Sequence, residues 1–190
     1  MEAVNWIFGY GSLMWDPGFD PAETMVARLD DFARSFCMHS VRYRGTPEKP
    51  GLVLALDHEQ GAHCTGLALR IPDGSHDEVR TYLHARELTT NAYAETIVDL
   101  TLDDGRKVRA VTYVIRQDHS QYAGHLCARE QAQIISAARG VNGANSDYLF
   151  NTARHLAQIG VSDRFLDELS ADVRRLLDAA SSQPETQRKG

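Results

Sequence analysis

The chain has 190 residues, of which 43% are hydrophobic and 24% are charged, and its formal charge at pH 7 is −6. This is the size and composition of one globular domain that can bury a core without disulfide or metal staples. The acidic balance and the scattered Lys and Arg residues exclude the basic face expected of a nucleic-acid-binding domain.

The first half of the sequence has the composition of β-strands. Apolar runs bounded by turn residues predict strands at 6–8, 35–41, 52–56 and 64–71. Alternating apolar positions predict a further strand over 96–102, and Asp104-Gly105 predicts a hairpin turn into a strand over 108–115.

Helices are predicted mainly in the second half. One lies earlier, with Ser75 and Glu78 as a capping box and an end near Arg86. Strands first and helices later favour an α+β fold. Residues 1–180 are predicted to be one domain, and the polar residues 181–190 a flexible tail. The later apolar periodicity predicts helices at 130–139, at 146–159 and from an N-cap at Ser162 to about Leu177.

A glycine-rich turn, Gly9-Tyr10-Gly11-Ser12-Leu13, follows the first predicted strand. Glycines let the backbone turn sharply and approach a ligand closely, and successive N–H groups can hold a carboxylate or an oxyanion. The turn lacks the GK[ST] of a P-loop, and Met14 breaks a GxGxxG pattern. These residues alone favour a plain strand-exit turn over a binding turn.

Arg86-Glu87 marks the end of the first predicted helix. The partial negative charge of a helix C-terminus disfavours a second negative charge, and shielding from water raises the pKa of a carboxyl group further. A raised pKa suits a general base that must later return its proton. The alternative is a solvated Glu beside an Arg.

The segment from Tyr43 to Gly51 contains two prolines and two glycines, which predicts a defined loop. Arg44 in this loop has the planar fork that suits a substrate carboxylate. An ordinary surface loop is the alternative.

We expect no metal, no cofactor and reduced thiols. The eight histidines show no HExxH pattern, and the three cysteines form no CxxC pair. None of Cys37, Cys64 and Cys127 is predicted at a helix start, where a thiolate would be activated, although a Cys–His nucleophile stays open. With no apolar run of about 18 residues and no secretory signal, a cytoplasmic protein without a membrane span is expected.

Five segments, which begin with Ile7–Trp15 and end at Leu149, lie in order along the chain, and together they resemble the ChaC-type γ-glutamylcyclotransferases. The resemblance implies a small mixed β-barrel with surrounding helices and a helical C-terminal half. Two departures are Thr89 to Ala92, where many members carry Gly, and Asp147, where Glu is common. The matching segments, in order, are Ile7–Trp15, Tyr43–Glu48 leading into Pro50–Leu54, Arg86-Glu87-Leu88 with Tyr93, Gln121–Gly124, and Ala138–Gly140 through Asp147-Tyr148-Leu149.

The resemblance also implies site residues and an activity. Glu87 would be the single acid/base, and Arg44 and Tyr148 lie in family-like segments and are further substrate-binding candidates. The implied activity converts glutathione, a small-molecule substrate, to 5-oxoproline and Cys-Gly without metal or cofactor, in an oligomeric state left open. The residues implied to bind the γ-glutamyl group are Ile7, Phe8, Gly9, Tyr10, Gly11, Ser12 and Leu13.

Three alternatives accompany this hypothesis. The first is a cyclotransferase for other γ-glutamyl peptides or amines, which a substrate panel would separate because pocket shape sets relative kcat/KM. The second is a non-catalytic module that binds γ-glutamyl groups, against which the retained Glu87 argues. The third is a thiol hydrolase, which alkylation would inactivate.

Overall fold

The structure, a computed structural model, describes residues 4–182. The described residues group into two compact units. The first unit comprises residues 4–38 and 54–124, and the second comprises residues 39–53 and 125–182.

The first unit is built on a closed five-stranded barrel with the strand order β1-β3-β2-β4-β5. Strand β1 is antiparallel to β3 and parallel to β5, which closes the barrel. Helix α1 (His76–Glu87) connects β3 to β4. The strands are β1 (Trp6–Gly9), β2 (Glu23–Ser40), β3 (Gly51–Arg70), β4 (Tyr93–Leu102) and β5 (Lys107–Ile115).

Buried apolar residues at alternate positions of β4 show how the barrel forms its core. Val98, Leu100 and Leu102 are buried, and they pack in one cluster with Phe8 and Tyr10. Alternate residues of a strand point to the same face, so these apolar positions define the inner face of the sheet. The β4–β5 hairpin predicted around Asp104-Gly105 is confirmed by its antiparallel register.

Three predictions in this unit were wrong in detail. The strands predicted at 52–56 and 64–71 form one continuous strand, because the polar stretch between them continues the strand with exposed side chains at 58–61. Strand β2 begins at Glu23 rather than at 35. Ser75 precedes α1, but its backbone is not extended and its side chain makes no capping hydrogen bond, so the predicted capping box is absent.

The second unit is helical, as predicted, with a two-stranded hairpin. Its helices are α2 (Ala128–Ala137), α3 (Asn145–Gln158) and α4 (Arg164–Ser181), and its short strands are β6 (Arg139–Gly140) and β7 (Gly143–Ala144). Helix α2 ends two residues earlier than predicted because Ala138 is extended and leads into β6. Residues 183–190 of the predicted tail lie outside the described residues.

Two helix starts in this unit differ from expectation. The N-cap of α4 is Asp163 rather than Ser162, and its Oδ1 accepts a hydrogen bond from the Leu166 N–H at 3.1 Å. Cys127 is the N-cap residue of α2, so the expectation that no cysteine lies at a helix start was wrong. The sequence-based start at residue 130 was two residues late, because Glu130 bonds back to the Cys127 N–H and so belongs to the first turn.

Asn145 joins α3 to the start of β3 within the second unit. It is fully buried, its Oδ1 accepts from the Leu52 N–H at 2.7 Å, and its Nδ2 donates to the Leu52 carbonyl at 2.7 Å. Asn145→Ala leaves both buried backbone groups of Leu52 unsatisfied. We expect a loss of about 3 kcal/mol in the free energy of unfolding, since each unmet buried group costs about 1–3 kcal/mol.

Denaturant titration checks this prediction. The matched control is Gln158→Ala, which truncates an exposed polar residue at the other end of the same helix. The control is expected to stay within about 0.5 kcal/mol of the wild type. Equal stability of the two variants would contradict the role given to Asn145.

Candidate active site

The glycine-rich turn lies where β1 leaves the barrel. A short 3₁₀ helix, Ser12–Met14, follows directly, and its first hydrogen bond runs from the Met14 N–H to the Gly11 carbonyl at 2.9 Å. The N–H groups that precede this bond have no partner inside the helix. A side chain built on Gly11 would meet nothing within 4 Å, so open space adjoins the turn. The turn therefore combines backbone donors with room for a ligand.

Two contacts hold the turn in place. The Tyr10 hydroxyl donates to the Tyr113 carbonyl at 2.9 Å. Arg34 Nη1 donates to the Tyr10 carbonyl at 2.8 Å and to the Thr65 carbonyl at 3.1 Å. The turn is thus fastened to β5 on one side and to β2 and β3 on the other.

The side chains of the predicted substrate-binding segment are mostly interior. Ile7, Phe8, Tyr10 and Leu13 are buried, and Phe8 belongs to the barrel core. Ser12 is only half-buried. The apolar members of the segment thus support the turn by packing, and its backbone and the Ser12 hydroxyl are left to make polar contacts.

Glu87 is the last residue of α1, as the sequence predicted. Its side chain is 16% exposed and lies 3.1 Å, Oε1 to Nε, from the guanidinium of Arg86. Burial raises the pKa of the Glu87 carboxyl above its ordinary value, and the charge and hydrogen bond of Arg86 partly oppose this. The result is a shielded carboxyl with a raised pKa, which is what an acid/base group requires.

Arg86 brings Glu87 and the turn together. Its Nη2 donates to Ser12 Oγ at 2.9 Å, and its Nη1 donates to the Asp16 carbonyl at 2.7 Å. The sequence marked Glu87 and the turn separately but gave no sign that this arginine connects them. The connection depends on how α1 packs beside the turn, which spacing along the chain does not reveal.

A second polar cluster, formed by His84, Glu95, Tyr113 and Arg80, lies beside the same helix end. His84 Nε2 is 2.5 Å from Glu95 Oε2, and the Tyr113 hydroxyl donates to the same oxygen at 3.4 Å. Burial, and then the charges of Glu95 and Glu87, raise the pKa of Tyr113 above its usual range. Sequence reasoning missed this cluster, although the three-residue spacing of His84 and Glu87 places both on one side of a helix.

Arg44 and Tyr148 belong to the second unit, where they contact each other. The Arg44 guanidinium lies 5.6 Å from the centroid of the Tyr148 ring. Its Nη1 donates to the Asn142 carbonyl at 2.7 Å and to the Ala144 carbonyl at 3.2 Å. Arg44 therefore braces the β6–β7 hairpin, and its predicted role as a carboxylate clamp stays a prediction, as does that of Tyr148.

The described residues give little support to thiol or metal chemistry or to a membrane span. Cys37 is buried, which raises the pKa of its thiol to about 11 and disfavours a thiolate. Across residues 4–182, no group of three or more His, Cys, Asp or Glu side chains is arranged to hold a metal ion. In the same range, no helix has both the length and the apolar content to cross a bilayer.

Comparison with known proteins identifies the family. A sequence model described as ChaC-like protein matches residues 5–176. The chain belongs to the ChaC-like family. The resemblance inferred from the sequence is thereby confirmed.

Three curated relatives illustrate how this ChaC-like chain compares, and each is named a glutathione-specific γ-glutamylcyclotransferase. The relative from Escherichia coli K12 is 38% identical over 176 residues, covering 93% of this chain and 75% of that protein. The relative from Schizosaccharomyces pombe is 32% identical, and the match covers 92% of this chain and 94% of that protein. The Homo sapiens relative, numbered 1, is 31% identical, covering 82% and 71%.

Solved structures agree on the fold of this ChaC-like protein. A crystal structure of a yeast γ-glutamyl cyclotransferase specific to glutathione matches with a TM-score of 0.78 at 24% identity, covering 92% of this chain and 100% of that one. YkqA from Bacillus subtilis matches with a TM-score of 0.55 at 20% identity, and the match covers 92% of this chain and 54% of that one. The predicted α+β fold with a small mixed barrel is confirmed.

Proposed function

We propose that this ChaC-like protein is a glutathione-specific γ-glutamylcyclotransferase that converts glutathione to 5-oxoproline and Cys-Gly. The observation that carries the proposal is the shielded carboxyl of Glu87, with its raised pKa, joined through Arg86 to the Ser12 hydroxyl of the glycine-rich turn. The names of the Escherichia coli and Schizosaccharomyces pombe relatives support glutathione as the substrate.

The reaction uses a nucleophile that the substrate already carries. The α-amine of the γ-glutamyl group attacks its own γ-carbonyl carbon, and the new C–N bond closes a five-membered lactam. The amide C–N bond to Cys-Gly then breaks. The protein's main task is to fold the substrate so that amine and carbonyl lie in attacking geometry, which replaces a search in solution.

Glu87 moves the proton that this chemistry requires. The substrate amine is mostly protonated at neutral pH, so the ionised Glu87 carboxylate first accepts one proton from it, which frees the lone pair that attacks. Glu87 then gives this proton to the departing nitrogen of Cys-Gly. The second proton that the attacking nitrogen loses as the lactam forms also ends on that amine, so Cys-Gly leaves as an ammonium group. The raised pKa favours this return, and the charge of the adjacent Arg86, which opposes the rise, favours the ionised form that begins the cycle.

The glycine-rich turn supplies electrostatic stabilisation. In this proposal, backbone N–H groups of residues 10–13 hold either the substrate α-carboxylate or the oxyanion that develops on the γ-carbonyl oxygen. Such donors need no reorganisation during the reaction, since the turn is already fastened through Tyr10. From the three free cysteines, reduced in a cytosol, we also propose that the protein works in the cytoplasm.

The direct test is incubation of the purified protein with glutathione and, separately, with γ-Glu-Ala. Mass spectrometry should detect 5-oxoproline and Cys-Gly in equal amounts from glutathione. Product from γ-Glu-Ala only would keep the chemistry and change the substrate. No product from either compound would contradict the proposal and favour a γ-glutamyl-binding module.

Ser12→Ala is expected to be mild. The variant loses the hydrogen bond from Arg86 but keeps every backbone N–H of the turn. We expect kcat/KM for glutathione to fall about 10-fold, the value of one hydrogen bond to a charged group. Steady-state kinetics measure this, and a loss as large as that of Glu87→Gln would show that the hydroxyl itself takes part in the chemistry.

A further inference from the structure

Two consecutive turns of α1 meet one carboxylate on the barrel. His84 and Arg80 are four residues apart and therefore lie on the same side of the helix. His84 Nε2 is 2.5 Å from Glu95 Oε2, and Arg80 Nη2 is 3.9 Å from Glu95 Oε1. Glu95 is thus the point at which β4 holds the C-terminal part of α1.

The strand side of this contact is also fixed. Glu95 and Tyr113 are direct partners in the antiparallel register of β4 and β5, so their side chains share one face of the sheet. The Tyr113 hydroxyl donates to Glu95 Oε2 at 3.4 Å. The Tyr113 carbonyl in turn accepts a hydrogen bond from the Tyr10 hydroxyl. The cross-strand pair Glu95 and Tyr113 therefore contacts both α1 and the glycine-rich turn.

The helix turn held by Glu95 is the one that carries Glu87. The His84 carbonyl accepts a hydrogen bond from the Leu88 N–H at 3.1 Å, which closes the last turn around Glu87. On its other side, Arg86 binds Ser12. The last turn of α1 is therefore held from two directions, by Arg86 toward the glycine-rich turn and by His84 toward β4.

We propose that Glu95 is a positioning residue that, through His84, fixes the last turn of α1 and so places Glu87 for proton transfer. This inference rests on the proposed cyclotransferase function. Glu95 acts through its neighbours, because its carboxylate oxygens are already engaged by His84, Tyr113 and Arg80. A misplacement of about 1 Å can lower a rate by about 100-fold, so the effect falls on kcat.

The test compares Glu95→Ala, Glu95→Gln and His84→Ala with the double variant that replaces both residues by Ala. The Ala variants should each lower kcat for glutathione about 10- to 100-fold while KM changes less than about 3-fold. Glu95→Gln keeps an acceptor for His84 and should be intermediate. The double variant should be no worse than the more impaired single variant, because both changes remove the same contact.

Glu23→Gln is the matched control. Glu23 is a carboxylate on β2 in the same unit, 32% exposed against 28% for Glu95, and it is paired with Arg106 and Arg70. Its loss should leave kcat at the wild-type value. A similar fall in kcat for this variant would mean that any lost ion pair on the barrel slows the enzyme, and it would overturn the proposal.

Hydrogen exchange of residues 84–88 tests the anchor without relying on activity. Glu95→Gln and Glu95→Ala should exchange faster there than wild type, whereas Glu23→Gln should not. Unchanged exchange overturns the anchor, and faster exchange with normal kcat overturns its catalytic consequence. If wild type itself forms no 5-oxoproline, the proposed function and that catalytic consequence fail, while exchange still decides whether Glu95 holds the helix end.

Discussion

Glu87→Gln is expected to lower kcat for glutathione about 1,000-fold, within the range that a single general acid/base supplies. The amide keeps the size and shape of the carboxyl but cannot accept the proton of the substrate amine. Substrate binding should be retained, with Kd within about 3-fold of wild type, because the proposed binding donors lie in the glycine-rich turn. Single-turnover kinetics and calorimetry with glutathione measure the two quantities separately.

The control for this variant is Glu59→Gln, the same chemical change at an exposed position on β3. It should have the wild-type kcat. Near-normal turnover of Glu87→Gln would reject the acid/base role. Loss of binding together with turnover would instead make Glu87 a substrate ligand.

Arg86→Met is expected to reduce activity most strongly at low pH. Arg86 lowers the pKa of Glu87, so its removal raises that pKa further and leaves less of the reactive carboxylate at any given pH. The acid limb of kcat/KM should therefore move to higher pH. At pH 7, kcat/KM should fall about 100-fold, since the hydrogen bond to Ser12 is lost as well.

Arg86→Lys separates charge from geometry. Lysine keeps the positive charge but not the planar fork that reaches Glu87, Ser12 and Asp16 together. Its acid limb should stay closer to the wild-type pH than that of Arg86→Met. Arg164→Met, at a 90% exposed position on α4, should show the wild-type profile. An acid limb that does not move in Arg86→Met would contradict the electrostatic role.

Strands and helices could be predicted from the sequence wherever one local pattern was strong. The alternation at Val98, Leu100 and Leu102 and the Asp-Gly turn predicted the β4–β5 hairpin correctly. Prediction from local composition failed where neighbouring strands decide the conformation. The polar stretch 58–61 is a strand because its backbone continues a strand begun by apolar residues, and no local pattern marks that.

The candidate site could be predicted from the sequence only in part. The sequence located Glu87 and the glycine-rich turn, because each has a local signature. It could not show that Arg86 joins them or that Glu95, eight residues beyond Glu87 on another element, holds the helix end. Those contacts depend on the packing of α1 against the barrel. The sequence also gave no sign that Arg44, whose role as a carboxylate clamp stays a prediction, braces the β6–β7 hairpin.

One departure from the family pattern has a structural explanation. From the family resemblance, Gly is expected in the segment Thr89 to Ala92, and in this chain Asn91 has a positive φ of 55°. Asn tolerates this left-handed conformation better than other non-glycine residues because its short side chain can bond locally. The turn between Glu87 and β4 therefore closes without glycine.

The most direct test of the central claim is a time course of glutathione with the wild-type protein and with Glu87→Gln, monitored by mass spectrometry. We predict equimolar 5-oxoproline and Cys-Gly from the wild type and almost none from the variant. Equal product from both proteins, or no product from a wild type shown to be folded, would contradict the account.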